Sequence, residues 1–368
     1  MIPVCEPLIT ARDIELVNDA LSSGWISSAG KYLDQFEQQW ADYCGMPYGI
    51  AVSNGSTALD IAVDLLGLKA GDEVIMPTFT IISPAQSIIR AGGIPVLVDS
   101  DPVSWQMDVN RIEERITSRT RAILVVHIYG HPADMDPIMA LAEKYCLIVI
   151  EDAAEAHGAE YKGRRCGGIG HISTFSFYAN KLLTTGEGGM VLVKNKEHDA
   201  HARSLRNLCF QPERRFSHQE LGYNYRMTNV QAAMGVGQLE RLSETIARKR
   251  NIAHSYDAAF SGIPAIQLPA EMPWAQNVYW VYGIVLGEER ETDAAQIMAQ
   301  LRTWGIETRP FFLGMHEQPV FQHMGLFRDE RYPVAGHLAR QGFYLPNGLT
   351  ISKDQVAEVV AAVRECLA

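Results

Sequence analysis

Short apolar runs rich in β-branched residues, at 74–80, 95–99, 121–129 and 147–151, alternate with segments of helical spacing at 83–91 and 134–145. No other feature narrows the fold as much. Strands separated by helices must cross over and run parallel, so the sheet is covered on both faces and its strands read as unbroken apolar runs. Runs at 172–178 and 189–193 complete the same sheet. Further on, Leu239, Leu242, Ile246, Ala253 and Tyr256 mark one face of a single long helix over 238–260. A Pro-rich stretch, a strand over 278–286, a helix over 293–304 and a terminal helix over 353–367 follow. The expected fold class is α/β: a mostly parallel central sheet in a large domain, residues 1–245, plus a smaller α+β C-terminal domain, residues 246–368.

Charge removes whole classes of function. The formal net charge of −11 argues against a general affinity for nucleic acid or anionic membrane, so any anionic ligand must be held by local groups. Apolar stretches at 122–126 and 147–150 are far shorter than the ~20 residues that span a bilayer. The segment Met1-Ile2-Pro3-Val4-Cys5-Glu6-Pro7 has neither a basic nor a long apolar region of the secretory kind. Six scattered cysteines without a Cys-x-x-Cys pair read as reduced thiols. A cytoplasmic protein is expected.

Three segments carry chemistry. Val52-Ser53-Asn54-Gly55-Ser56-Thr57-Ala58 places small hydrogen-bonding residues before a helical run, and Thr57-x-x-Asp60 matches a capping box. Such a helix start suits a phosphate, although a well-capped helix would look the same. Val149-Ile150-Glu151-Asp152 is a buried-looking strand ending in acids, at the end of the sheet where ligand crevices form. Lys181 stands between the apolar run Thr174-Phe175-Ser176-Phe177 and the Gly-rich Thr184-Thr185-Gly186-Glu187-Gly188-Gly189, where desolvation could lower an amine pKa, although a solvated lysine in a turn would look the same. A phosphate anchor, a carboxylate and a later lysine are the three groups that pyridoxal 5'-phosphate requires.

With Gly222-Tyr223-Asn224-Tyr225-Arg226-Met227-Thr228-Asn229, these motifs make the chain resemble the DegT/DnrJ/StrS sugar aminotransferases, fold-type-I pyridoxal-phosphate enzymes, over almost its whole length. Gly24-Trp25-Ile26-Ser27-Ser28, His127-Ile128-Tyr129-Gly130-His131 and Arg309-Pro310 followed by His316 narrow the likeness to members acting on GDP-linked 4-keto-6-deoxysugars. The resemblance implies that Lys181 binds the cofactor covalently and moves the reacting proton, and that Asp152 pairs with the pyridine nitrogen. It places Gly55, Ser56, Thr57 and Ser176 around the phosphate, and Ile81 and Glu155 at the cofactor. Asn224 reaches the phosphate from a partner subunit, giving a homodimer with composite sites. Trp25, Ser27, Glu155, Arg215 and His316 face the sugar nucleotide, and L-glutamate is the expected amino donor. Another keto sugar or nucleotide, or a catalytically idle binding relative, are the alternatives.

Ile81 departs from the family, which usually has a ring-stacking aromatic there; losing it forgoes roughly 0.5–1.5 kcal/mol of stacking. Lys181 is retained where some relatives carry His and dehydrate instead. His127 with His131, and His198 with His201, lack the acidic flank of a helical metal motif, so no metal is expected. Gly168-Ile169-Gly170 precedes a strand and lacks the third glycine of a dinucleotide fingerprint. The arginines 203, 206, 214, 215 and 226 form either a solvated face or a diphosphate clamp.

Overall fold

The computed structural model describes residues 1–211, 213–287 and 293–367. A central sheet of seven strands comprises β1 (Tyr48–Val52), β2 (Glu73–Pro77), β3 (Ile94–Val98), β4 (Thr120–Val126), β5 (Ile148–Asp152), β6 (Ile172–Ser176) and β7 (Gly189–Val193), in the order β1-β7-β6-β5-β4-β2-β3. The pairs β3/β2, β2/β4, β4/β5 and β5/β6 are parallel, and only β7 runs against its neighbours. Along β4, Ala122, Leu124 and Val126 pack into one core and Ile123 and Val125 into another, so the two-residue period buries both faces. Helices α1 (Ala11–Ser22), α2 (Lys31–Cys44) and α3 (Gly55–Asp64) lie with the first core, α4 (Ser83–Arg90) follows β2, and α5 (Met135–Tyr145) covers the second face.

The run expected to stay extended to residue 129 stops at Val126, because Tyr129 takes a left-handed φ of +58° and turns the chain. The single helix expected over 238–260 is two, α7 (Asn229–Glu240) after α6 (Lys196–Leu205), and α8 (Leu242–Phe260). Arg241 breaks it, with its guanidinium folded back onto the fully buried Asp13 at 2.6 Å and onto the Leu8 carbonyl at 2.9 Å. Leaving Asp13 unpaired in the core would cost more than one helical bond.

A second sheet, with β8 (Ile266–Gln267), β9 (Tyr282–Leu286), β10 (Arg309–Pro310) and β11 (Gly342–Leu345), has the order β8-β9-β11-β10. Tyr282, Ile284, Phe343 and Leu345 meet Ile252, Tyr256 and Phe260 of α8 in a core of their own. The chain mixes the two units more than a cut at 245/246 implies. Ile2 bridges Ile306 in the smaller core, whereas Phe311, Met315, Phe321 and Leu338 pack into the larger one.

Candidate active site

Asp152 and Ser176 end adjacent strands, in a register that pairs Asp152 with Thr174, so both side chains emerge at the same edge of the sheet. Across from them α3 begins. Asn54 caps it, accepting the Thr57 N–H at 2.9 Å while Thr57 Oγ1 accepts the Asn54 N–H at 3.2 Å. The capping box is therefore Asn54 with Thr57, three residues ahead of the expected Thr57 with Asp60. Asp60 lies inside the helix and accepts the Ser87 hydroxyl at 2.6 Å. This cap leaves the Gly55 and Ser56 N–H groups, first in the helix, without intrahelical acceptors. A Cβ on Gly55 would lie 2.7 Å from Ser176 Cβ, so only glycine lets the helix start approach the strand end this closely.

A cleft of about 510 Å³ joins Gly55, Ser56, Asp152, Glu155, Ser176 and Lys181. Ile81 lines it as well. A larger groove of about 870 Å³ between α8 and the helix Lys353–Leu367 has Arg248, Lys353 and Arg364 on its walls but no acid, and it lies away from this chemistry.

Burial and mutual charge tune the cleft. Desolvation pushes the Asp152 carboxyl up, while the Ala154 N–H and Lys181 oppose it. Glu155 is pushed up to about 7 by burial against the pull of Lys181, and one of its oxygens accepts the Tyr129 N–H at 2.7 Å. Burial lowers Lys181, with Glu155 and Asp152 restraining the shift, and its Nζ sits 3.6 Å from the centre of the Trp280 ring. His157, fully buried, is driven down to about 3, so its imidazole is neutral. Because a carbonyl only accepts, the 2.8 Å contact with Ser176 O puts the hydrogen on Nε2 and fixes the end of β6. Glu151, one residue before Asp152, faces away from this edge. It meets His127 Nε2 at 2.9 Å and accepts the N–H groups of Gly167, Ile169 and Gly170. The glycine-rich segment thus cradles an internal carboxylate.

Several expected residues are elsewhere. Thr57 is buried and spends its hydroxyl on the cap, off the cleft wall. His316 is buried behind the cleft, with Nδ1 2.9 Å from the Thr78 hydroxyl. Trp25, Ser27, Arg215 and Asn224 are exposed and do not line the cleft. Trp25 O and Ser27 O anchor Asn229, and Asn224 bridges Asn207. The basic cluster divides: Arg203 and Arg206 both hold Glu37, whereas Arg215 lies over the Phe210 and Phe216 rings. His131 is occupied by Pro132 O and the Met272 N–H, and His201 by Glu220. Sequence reasoning missed Trp280, Tyr344 and Phe312 on the cleft wall. They are aromatics within apolar runs, a pattern shared by ordinary core residues.

The chain matches the DegT/DnrJ/EryC1/StrS aminotransferase family over residues 7–364. It belongs to that family. GDP-perosamine synthase of Caulobacter vibrioides is 39% identical over 367 residues, covering 100% of this chain and 98% of that protein. GDP-perosamine synthase of Escherichia coli O157:H7 is 41% identical, covering 99% and 98%. Among solved structures, DesV from S. venezuelae, in complex with a ketimine intermediate, superposes with a TM-score of 0.90 at 34% identity over 97% of this chain and 94% of that one. The protein is thus a pyridoxal-phosphate-dependent aminotransferase with the fold of the sugar aminotransferases. The cleft suits the cofactor: the Gly55 approach leaves room for a phosphate at the α3 start, Asp152 offers a buried carboxylate, and Lys181 offers a desolvated amine.

Proposed function

We propose that this aminotransferase transfers an amino group to C4 of a GDP-linked 4-keto-6-deoxysugar, with L-glutamate as donor. The observation that carries the reading is the full-length identity of about 40% to two GDP-perosamine synthases, joined to an intact set of Asp152, Ser176 and Lys181 in one cleft. Pyridoxal phosphate supplies the electron sink that makes the carbon acids of donor and acceptor reactive. Gly55 and Ser56 offer backbone N–H groups at the positive end of α3, and Ser176 adds a hydroxyl, which together hold a phosphate. Asp152, buried at the end of β5, would keep the cofactor's pyridine nitrogen protonated. Lys181, with its pKa lowered by burial, would take a proton from the donor's α-carbon. It later delivers one to C4 of the sugar.

We assign the working form as a homodimer in the cytoplasm. Trp25, Ile26, Phe216 and Leu221 are apolar side chains between 52% and 92% exposed, on the segments that carry Ser27, Arg215 and Asn224. An apolar rim around unused polar groups is what a second copy would cover. Cys5, Cys44, Cys146, Cys166 and Cys209 are in no disulfide, which suits a reducing compartment. The deciding assay presents the enzyme and glutamate with GDP-, dTDP- and UDP-linked keto sugars and identifies products by mass and NMR. Amination of the GDP-linked 4-keto sugar is expected. A preference for another nucleotide or for a 3-keto sugar overturns the substrate assignment.

A further inference from the structure

Lys249 of α8 is a buried ammonium, 3% exposed, and no carboxylate pairs with it among the described residues. Burying an unpaired charge is costly unless its hydrogen bonds matter. Those bonds go to two carbonyls, Trp280 O and Asn347 O, each at 2.8 Å. The turn that Lys249 grips is strained. Tyr279, a bulky aromatic, has φ +48°, a conformation that costs of order 1–3 kcal/mol and persists only where the surroundings enforce it. Here they do: Asn277 Oδ1 accepts the Tyr279 N–H at 2.8 Å, and Asn347 Nδ2 donates to Tyr279 O at 3.1 Å and Trp280 O at 3.4 Å. The forced backbone aims the next side chain at the reacting amine. Trp280 Nε1 donates to Asn180 O at 2.8 Å, and its ring lies 3.6 Å from Lys181 Nζ.

We propose that Lys249 is a positioning residue of the active site: by clamping the Tyr279–Trp280 turn it holds the indole over Lys181 and keeps water from the amine. A lysine fits this task because one ammonium can bridge two carbonyls that belong to different strands of chain. Lys249 itself is faced by Cys5 and by no acid, while Lys181 is faced by Glu155, Asp152 and Cys5. Glu155 and Asp152 stay in place when the clamp is cut, so the change falls on water access. Desolvation is the largest cause of the lowered Lys181 pKa, and admitting water returns the amine toward ordinary lysine behaviour. The inference rests on Lys181 being the reacting amine, not on the identity of the sugar.

The test uses the cofactor-free full-length protein and reads Lys181 alone. Acetylation by a limiting amount of acetic anhydride is followed over a range of pH, and the Lys181 peptide is quantified by mass spectrometry. In Trp280→Ala and in Lys249→Met, the midpoint of the pH–labelling profile is expected to move to higher pH, whatever the plateau of labelling. Should Lys249→Met not fold, Asn347→Ala cuts the companion bonds to the same turn and is expected to show the same shift. A folded Lys249→Met or Asn347→Ala with the wild-type labelling profile overturns the proposal, whatever its melting temperature. So does a Trp280→Ala profile that does not move. Loss of cofactor attachment in Lys181→Ala is a separate measurement, so a wrong lysine and a wrong clamp are told apart.

Discussion

Asp152, Ser176 and Lys181 share a cleft because the sheet places them there, whereas Ser27, Arg215 and Asn224 stand exposed on loops outside it. The first group sits at or just beyond the ends of β5 and β6, where ladder hydrogen bonds and two buried faces leave little freedom. The second group is tied down by backbone contacts such as Ser27 O to the Asn229 N–H, and by the Arg215 guanidinium lying over the Phe210 and Phe216 rings. The chain thus brings Asp152, Ser176 and Lys181 together by itself, and the proposed homodimer would bring a second copy's Asn224 to them.

The strongest way to break this comparison is to damage each side in a different chain. Lys181→Ala is expected to lose covalent cofactor attachment and turnover together. Mixed with an inactive Asn224 variant under subunit exchange, it should regain activity, since the mixed dimer has one site with both lesions and one with neither. Exchange without recovery, or a fully active monomer, places Asn224 outside the site. Next in size is Asp152→Asn, which should keep the cofactor but turn over about 10²–10³-fold more slowly, the scale of losing one preorganised charged group. Unchanged turnover would assign the role to Glu155, because Glu151 is committed to His127 and three backbone N–H groups.

A smaller effect tests the electrostatics of the cleft. Glu155 moves from an ordinary 4.5 to about 7 on folding, chiefly by burial. A carboxyl raised in the folded state favours folding while protonated, so its contribution is present below 4.5 and is lost as pH rises through about 7. Glu155→Gln keeps an acceptor for the Tyr129 N–H and removes the titration. The cofactor-free variant should therefore gain stability over wild type as pH climbs through this window, by up to about 3 kcal/mol. Melting curves from pH 4 to 8 check it, and parallel curves for the two proteins contradict it.

What the sequence made legible follows the same division. Strand runs and their helical partners were visible because a parallel sheet buried on both faces leaves apolar runs that nothing else explains, and Asp152 and Lys181 stood out against them. The break at Arg241 was not visible, since its cause is a long-range pair with Asp13. Nor was the Asn54 cap, which competes with an equally plausible Thr57 box three residues on. Trp280 was hidden because its role depends on the left-handed turn at Tyr279, and an aromatic carries no sequence mark of positive φ. His316 was expected at the sugar through resemblance alone, while its buried contact with Thr78 joins it to the strand-end loop that carries Ile81.

Arg215 and His316 sharpen the comparison most finely, because both were expected to contact the sugar nucleotide and the structure separates them. Arg215 is exposed and its guanidinium rests on two aromatic rings; in the proposed homodimer it would meet a diphosphate bound in the second copy's cleft. His316 is buried, burial lowers its pKa, and Nδ1 is engaged by Thr78, so it brings no charge to an anion at neutral pH. Arg215→Ala is therefore expected to raise the KM for the sugar nucleotide ~tenfold through loss of a charge-assisted bond, with the visible band of the lysine-bound cofactor unchanged. His316→Ala should lower the melting temperature and move that KM by less than about threefold, the scale of a neutral hydrogen bond. Steady-state kinetics with the GDP-linked sugar decide between them. If Arg215→Ala leaves the sugar KM untouched, or if the keto sugar without its nucleotide reacts equally well, the 214–215 loop is not a diphosphate clamp, and the exposed side of the site serves assembly alone.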